Sequence, residues 1–142
     1  MKILLLTAFL LAIVAPRCQG SNSENDKELS AGQADFARHD YDDAAKHFKK
    51  ASKLEHESCS ECFIWLLRAE IGLGKTDDAL KSADMALKTA QSDRQRANAQ
   101  LYRGVIFHRM AAAKRDKLKD AEEAFRAAAS ANADCAECKF SL

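Results

Sequence analysis

The sequence predicts an all-α protein built from helical hairpins that repeat along the chain. Apolar residues recur at helical spacing, alanine is abundant, and neither strand-like alternation nor an Asn-Gly hairpin turn occurs. Helix-start signatures of the capping-box type recur at Asn25-x-x-Glu28, Ser58-x-x-Glu61, Ser92-x-x-Gln95 and Asp134-x-x-Glu137. Their spacings are 33, 34 and 42 residues. Such a period is typical of a solenoid in which each helix pair stacks on its neighbours.

The first 20 residues have the features of a secretory signal peptide. The positive start Met1-Lys2 precedes the apolar run Ile3–Val14, and small residues follow up to Gly20. The run is shorter than the about 20 residues of a membrane span, so a retained anchor is the weaker alternative. Lipid attachment at Cys18 is disfavoured by the bulky Arg17 before it. We expect residues 21–25 to be a disordered N-terminus and the protein to be periplasmic or secreted, in a bacterial envelope.

Each helix start is followed by a second, amphipathic helix. These second helices are expected at Tyr41 to about Leu54, Asp77 to about Thr89 and about Lys119 to Ala131. Asp40 is the expected N-cap of the first, because its carboxylate can accept the free N–H groups of the first turn. Between Gly104 and Ala121 lie five more residues than between Gly32 and Ala44. This difference predicts a third first-helix extended by more than a turn through Ala111–Arg115.

The small and aromatic positions of these helices resemble the tetratricopeptide repeat. In the first and third units the matching residues are Gly32, Ala44, Phe48 and Ala51, and Gly104, Ala121, Phe125 and Ala128. The second unit matches at Leu73–Ala79 and Ala86, but it departs at Leu67 and Ala83, and no unit has the closing proline of the family. The resemblance implies repeats at residues 26–57, 58–91 and 92–133, with 134–142 a partial fourth repeat or capping helix.

The resemblance implies a non-enzymatic scaffold that binds a peptide or protein segment in a concave groove formed by the first helices. Carried onto this chain, the candidate groove residues are Gln33, Phe36, Arg68, Ile71, His108 and Arg109. We interpret Trp65 as core between helices. The sequence has no glycine-rich phosphate loop, nucleophile elbow or metalloprotease helix, so neither an enzyme nor a cofactor is predicted. The main alternative is the N-terminal adaptor region of a larger envelope protein that carries a thioredoxin-like module.

Two Cys-x-x-Cys pairs are the sharpest chemical feature. Cys59 with Cys62, and Cys135 with Cys138, each follow a helix-start residue, with the first cysteine expected at the first helical position. Residues i and i+3 of a helix are close enough for a disulfide, and an exported protein favours one. The alternatives are packing, a redox pair, intermolecular pairing, or a metal site that includes His56. A metal set of His39, Asp43 and His47 is a further, weaker hypothesis.

The charges exclude a basic nucleic-acid-binding protein but leave one basic segment. Without residues 1–20 the chain carries 20 basic and 21 acidic residues. Residues 94–119 contain eight basic residues against Asp116 alone, and the candidate basic strip is Arg94, Arg96, Arg103, Arg109, Lys114 and Arg115. A solvated helix face is the usual explanation, and a docking strip for an acidic partner or a membrane surface is the alternative.

Overall fold

The structure is a computed structural model that describes residues 24–131, and this part of the chain contains six α-helices and no strand. The helices are α1 (Glu24–Ala37), α2 (Tyr41–Leu54), α3 (Ser60–Gly72), α4 (Thr76–Thr89), α5 (Asp93–Ala111) and α6 (Lys117–Ala131). Each helix packs on the next, and α3 also contacts α1 and α5, so the three first helices form one layer. The predicted all-α class and the three stacked helix pairs are therefore confirmed.

The signal-peptide prediction (residues 1–20) and the predicted partial repeat (134–142) lie outside the described residues. Glu24 and Asn25, expected in a disordered N-terminus, belong instead to α1. None of the helices within residues 24–131 combines the length and the apolar character needed to cross a membrane.

Only one of the testable helix starts follows the predicted capping box. Ser92 caps α5 as predicted, and its Oγ accepts the N–H of Gln95 at 3.2 Å. At the start of α3, Cys59 rather than Ser58 is the cap, so the helix begins one residue later than its signature predicts. Asn25 lies inside α1 and starts no helix. The residue that caps a helix is the one whose side chain the turn directs at the free N–H groups. A sequence signature locates that residue only to within one position.

Asp40 precedes α2 as predicted but does not cap it. Its backbone has a ψ of 65°, away from the extended conformation that directs a cap side chain onto the helix, and its side chain makes no cap hydrogen bond. The Asp40 Oδ2 atom instead lies 3.4 Å from Arg38 Nε. Asp42 and Asp43 in the first turn still complement the positive end of α2.

The five additional residues between Gly104 and Ala121 are not all in α5. Gly104 lies seven residues before the end of α5, whereas Gly32 lies five residues before the end of α1. Residues 112–116, most of the predicted extension, form the turn between α5 and α6. The prediction that α5 runs through Arg115 is therefore wrong. On its N-terminal side, α5 begins eleven residues before Gly104.

A glycine facing an aromatic ring sets the spacing of the first and third helix pairs. A Cβ atom on Gly32 would lie 2.6 Å from Phe48 Cε1, and one on Gly104 would lie 2.5 Å from Phe125 Cε1. The second pair has Leu67 and Ala83 at the corresponding positions, and both are fully buried. In the second pair the large residue is therefore on the first helix and the small residue on the second, the reverse of the other two pairs. Each helix pair keeps one large and one small side chain at its crossing.

We predict that Gly104→Ala destabilises the chain by about 1–3 kcal/mol, because the new methyl group overpacks the buried Phe125 ring. The double variant Gly104→Leu with Phe125→Ala copies the second repeat and should recover much of that loss. Chemical denaturation of Gly104→Leu, Phe125→Ala and the double variant measures their coupling, which we expect to exceed about 1 kcal/mol. Strictly additive effects would show that the ring and the glycine do not determine the helix spacing.

Two glutamates within the helix layers have pKa values shifted in opposite directions. Glu28 of α1 accepts hydrogen bonds from Lys50 at 2.5 Å and from His47 at 2.7 Å, and these partners hold its pKa below the usual value. Glu70 of α3 is 3% exposed, and burial raises its pKa. The hydrogen bond from Ser82 Oγ at 2.7 Å and the Lys49 charge at 3.9 Å oppose that rise. The ionised form is thus favoured at Glu28 and disfavoured at Glu70.

These shifts predict opposite dependences of stability on pH. The contribution of Glu28 is present above the unfolded-state pKa of about 4 and is lost as the pH falls through its lower folded-state pKa. Glu28→Gln should therefore lower the free energy of unfolding at pH 7 but much less at pH 3. Glu70→Gln is the matched control, since it removes a disfavoured charge and keeps an acceptor for Ser82. It should be neutral or stabilising at pH 7, and its effect should vanish below pH 4. Urea denaturation over this pH range measures both, and parallel curves for the two variants would contradict the assignment.

Candidate functional site

A cavity of about 440 Å³ lies between α3 and α5, in the layer of first helices. It is lined by Ser60, Glu61, Ile64, Trp65, Arg68, Ser92, Arg94, Gln95, Asn98 and Tyr102. These residues recur at spacings of three and four on α3 and α5, so each helix presents one face to the cavity. The first turns of both helices meet at one end of it. The dipoles of both helices favour negative charge there, and the Glu61 carboxylate is one such group.

Arg68 is the centre of an aromatic cluster on the cavity wall. Its Cζ atom lies 4.1 Å from the centroid of the Trp65 ring, 4.9 Å from that of Phe36 and 5.9 Å from that of Tyr102. A guanidinium stacked on aromatic faces keeps its edge N–H groups available to a carboxylate or a carbonyl oxygen. The stack therefore holds one positive charge in place beside the apolar faces of three aromatic rings.

Trp65 packs against the core, as the sequence predicts, and it also lines the cavity. Its ring stacks on Phe48 at 5.8 Å and meets Phe36 edge-to-face at 5.7 Å, so one side belongs to the core. The side chain is nevertheless only partly buried, and it lines the cavity beside Arg68. An indole in this position can offer an apolar contact surface to a ligand without moving.

Of the six predicted groove residues, only Arg68 lines this cavity. Phe36 extends its wall towards α1 through contact with Arg68 and Trp65, and Gln33 lies partly buried on α1. Arg109 is exposed and donates to the carbonyl oxygen of Ile71 at 3.4 Å, and His108 is exposed near the end of α5. Ile71, His108 and Arg109 lie nearer the C-terminal ends of α3 and α5 than this cavity does. The spacing of Glu61, Ile64 and Trp65, and of Arg94, Asn98 and Tyr102, was the signal that could have located it.

The residues of the candidate basic strip are divided between two sides of α5. Arg94 lines the α3–α5 cavity, whereas Arg103 lies 3.2 Å from Asp84 and lines a second cavity of about 420 Å³ between α4, α5 and α6. Arg96 lies 2.9 Å from Asp93, and Lys114 and Arg115 are exposed in the turn after α5. Arg94 is therefore the strip residue available to a ligand in the first cavity.

The structure places Cys59 and Cys62 together at the start of α3, with their Sγ atoms 2.04 Å apart and their Cα atoms 5.3 Å apart. Cys59 is the N-cap rather than the first helical residue, and its Sγ accepts the N–H of Cys62 at 3.0 Å. Cys62 is fully buried and Cys59 is partly exposed. The second predicted pair, Cys135 and Cys138, lies outside the described residues.

The residues of the weaker metal hypothesis do not converge. His39 Nδ1 lies 2.8 Å from the Tyr41 hydroxyl, Asp43 accepts from Lys46 at 2.6 Å, and His47 contacts Glu28. Within residues 24–131, no three His, Cys, Asp or Glu side chains are arranged to hold a metal ion.

Solved structures with the same architecture include tetratricopeptide-repeat (TPR) domains from three sources. The Sgt2 TPR domain from Aspergillus fumigatus has a TM-score of 0.73 and 22% identity, covering 90% of this chain and 80% of that chain. The Arabidopsis OM64 TPR domain has a TM-score of 0.69 and 18% identity, covering 82% of this chain and 89% of that chain. The Yersinia enterocolitica type III secretion chaperone SycD was solved in complex with a peptide of the translocator YopD. Its TM-score is 0.68 and its sequence identity 19%, and the match covers 81% of this chain and 81% of that chain.

No protein-family model matches the sequence, and no curated protein matches it either. At identities of 18–22% the likeness to solved structures shows the fold alone. The resemblance found in the sequence is confirmed at that level: residues 24–131 have the fold of a tetratricopeptide-repeat domain with three helix pairs.

Proposed function

We propose that this chain is an exported, non-enzymatic scaffold that holds a segment of another protein in the cavity between α3 and α5. The observation that carries the proposal is the Arg68–Trp65 stack on the wall of that cavity. SycD, which has the same fold, is a chaperone solved with a peptide of another protein, and this supports the type of ligand. Export rests on the features of residues 1–20.

The lining of the cavity indicates the chemistry of the partner segment. Trp65, Ile64 and Tyr102 offer an apolar surface, and the two positive charges of Arg68 and Arg94 exceed the single negative charge of Glu61. Gln95 and Asn98 can bond to the main chain of an extended peptide. The partner we propose is therefore a peptide segment with an apolar or aromatic side chain next to a carboxylate. The near-neutral charge of the chain gives no reason to propose nucleic acid as a ligand.

A charge reversal within the cavity tests this proposal. Peptides selected from a displayed library against the chain should contain the apolar–acidic pattern, and Arg94→Glu should weaken their binding at least about tenfold, or about 1.4 kcal/mol. Arg96→Glu is the matched control, because Arg96 is on the same helix and does not line the cavity. Fluorescence anisotropy measures both affinities. Equal losses in the two variants would indicate a diffuse charge effect and would contradict a site between α3 and α5.

Tyr102→Ala provides an uncharged test of the same site. We expect it to weaken the selected peptides by about tenfold through loss of apolar contact, with little change in the salt dependence of binding. An unchanged affinity would place the peptide elsewhere on the chain.

A further inference from the structure

The Cys59–Cys62 pair lies at the edge of the proposed peptide cavity. Ser60 and Glu61, the two residues between the cysteines, both line it. Ser60 is anchored by a hydrogen bond from its Oγ to the carbonyl oxygen of Ala86 at 3.0 Å, which fixes the first turn of α3 against α4. A segment that occupies the cavity therefore passes within a few residues of the two sulfur atoms.

The two sulfur atoms have chemically different surroundings. Cys59 is partly exposed at the N-cap, and its Sγ accepts the N–H of Cys62 at 3.0 Å. Cys62 is fully buried, and its Sγ lies 3.8 Å from Asn25 Oδ1 of α1. An amide oxygen accepts hydrogen bonds and donates none, so it can accept one from Cys62 only after the disulfide opens to a thiol. The structure thus provides an accessible sulfur at Cys59 and a shielded one at Cys62.

From this asymmetry we infer that the Cys59–Cys62 pair is a thiol–disulfide exchange site for a cysteine on the segment bound between α3 and α5. The inference rests on the proposed function for the delivery of that segment. It adds a covalent step to the binding, with Cys59 as the sulfur that joins the partner and Cys62 as the sulfur that leaves.

The exchange balances without a further oxidant or reductant. The thiol of the partner loses its proton, and the thiolate attacks Cys59 Sγ in line with the disulfide. A partner–Cys59 disulfide forms as the Cys59–Cys62 bond breaks, and Cys62 departs with the electron pair and takes up a proton. The new Cys62 thiol can then donate to Asn25 Oδ1, which slows its return attack on the mixed disulfide. One disulfide and one thiol are present before and after the step.

Reduced glutathione tests the exchange independently of the cavity. In the full chain with Cys18→Ser, Cys135→Ser and Cys138→Ser, acid quenching and peptide mass mapping should find glutathione on Cys59 at least about tenfold more often than on Cys62. Asn25→Ala should shorten the lifetime of the Cys59 adduct several-fold, whereas the control Ser30→Ala, at an exposed position of α1, should not. Absence of an adduct, or equal adducts on both cysteines, would overturn the inference.

A library-selected peptide tests delivery by the cavity. With one cysteine added, it should form the Cys59 adduct at least about tenfold faster than glutathione, and Arg94→Glu should abolish this advantage. The cysteine-free peptide is measured in parallel by anisotropy. If it binds in an Arg94-dependent way but its cysteine form reacts no faster than glutathione, the exchange inference fails while the proposed function stands. If the cysteine-free peptide does not bind, the proposed function fails, and the inference that rests on it fails as well.

Discussion

The close approach of the two helices in each pair is the constraint on which the rest of the molecule depends. Phe48 and Phe125 lie against Gly32 and Gly104, where even a methyl group would come within 2.6 Å of the ring. These contacts allow α1 and α5 to lie directly on their partner helices, and the first helices then form one continuous layer. The cavity between α3 and α5 belongs to that layer. Its side chains can be arranged for a ligand because the opposite faces of the same helices provide the packing.

The fold was predictable where the spacing of small and aromatic side chains shows which face of a helix is packed. Ala44, Phe48 and Ala51 recur at a spacing that buries one face of α2, and the helix was predicted with both ends correct. The turn after α5 was predicted less well, since Ala111–Ala113 have the composition of a helix and only tertiary packing decides where such a run ends. Two caps also differed from the prediction, because Asp40 precedes α2 but pairs with Arg38, and Cys59 takes the place of Ser58. Leu67 and Ala83 were visible in the sequence as two departures, and the structure shows that both side chains are fully buried.

The site was harder to predict than the fold for a physical reason. Helical periodicity identifies which face of a first helix is exposed, but the curvature of the stack decides which turns of that face meet the neighbouring helix. Arg68 was identified, whereas Tyr102 and Arg94 come from an earlier part of α5 than His108 and Arg109. The capping box at Ser92 predicts where α5 begins, but no local motif encodes that this first turn and that of α3 line the same cavity. The same geometry places the partly exposed Cys59 beside the cavity and Cys62 in the core.

Trp65 lines the cavity between α3 and α5, so it reports directly on whether a partner segment binds there. It is the single tryptophan of the chain, so its indole N–H gives one assigned NMR signal. On titration with a selected peptide, we predict that the largest chemical-shift changes occur at this indole N–H and at the backbone amides of Ile64, Asn98 and Tyr102. The changes around Phe107, in the second cavity, should be small. The largest changes at Phe107 and Arg103, with an unmoved indole signal, would contradict the account.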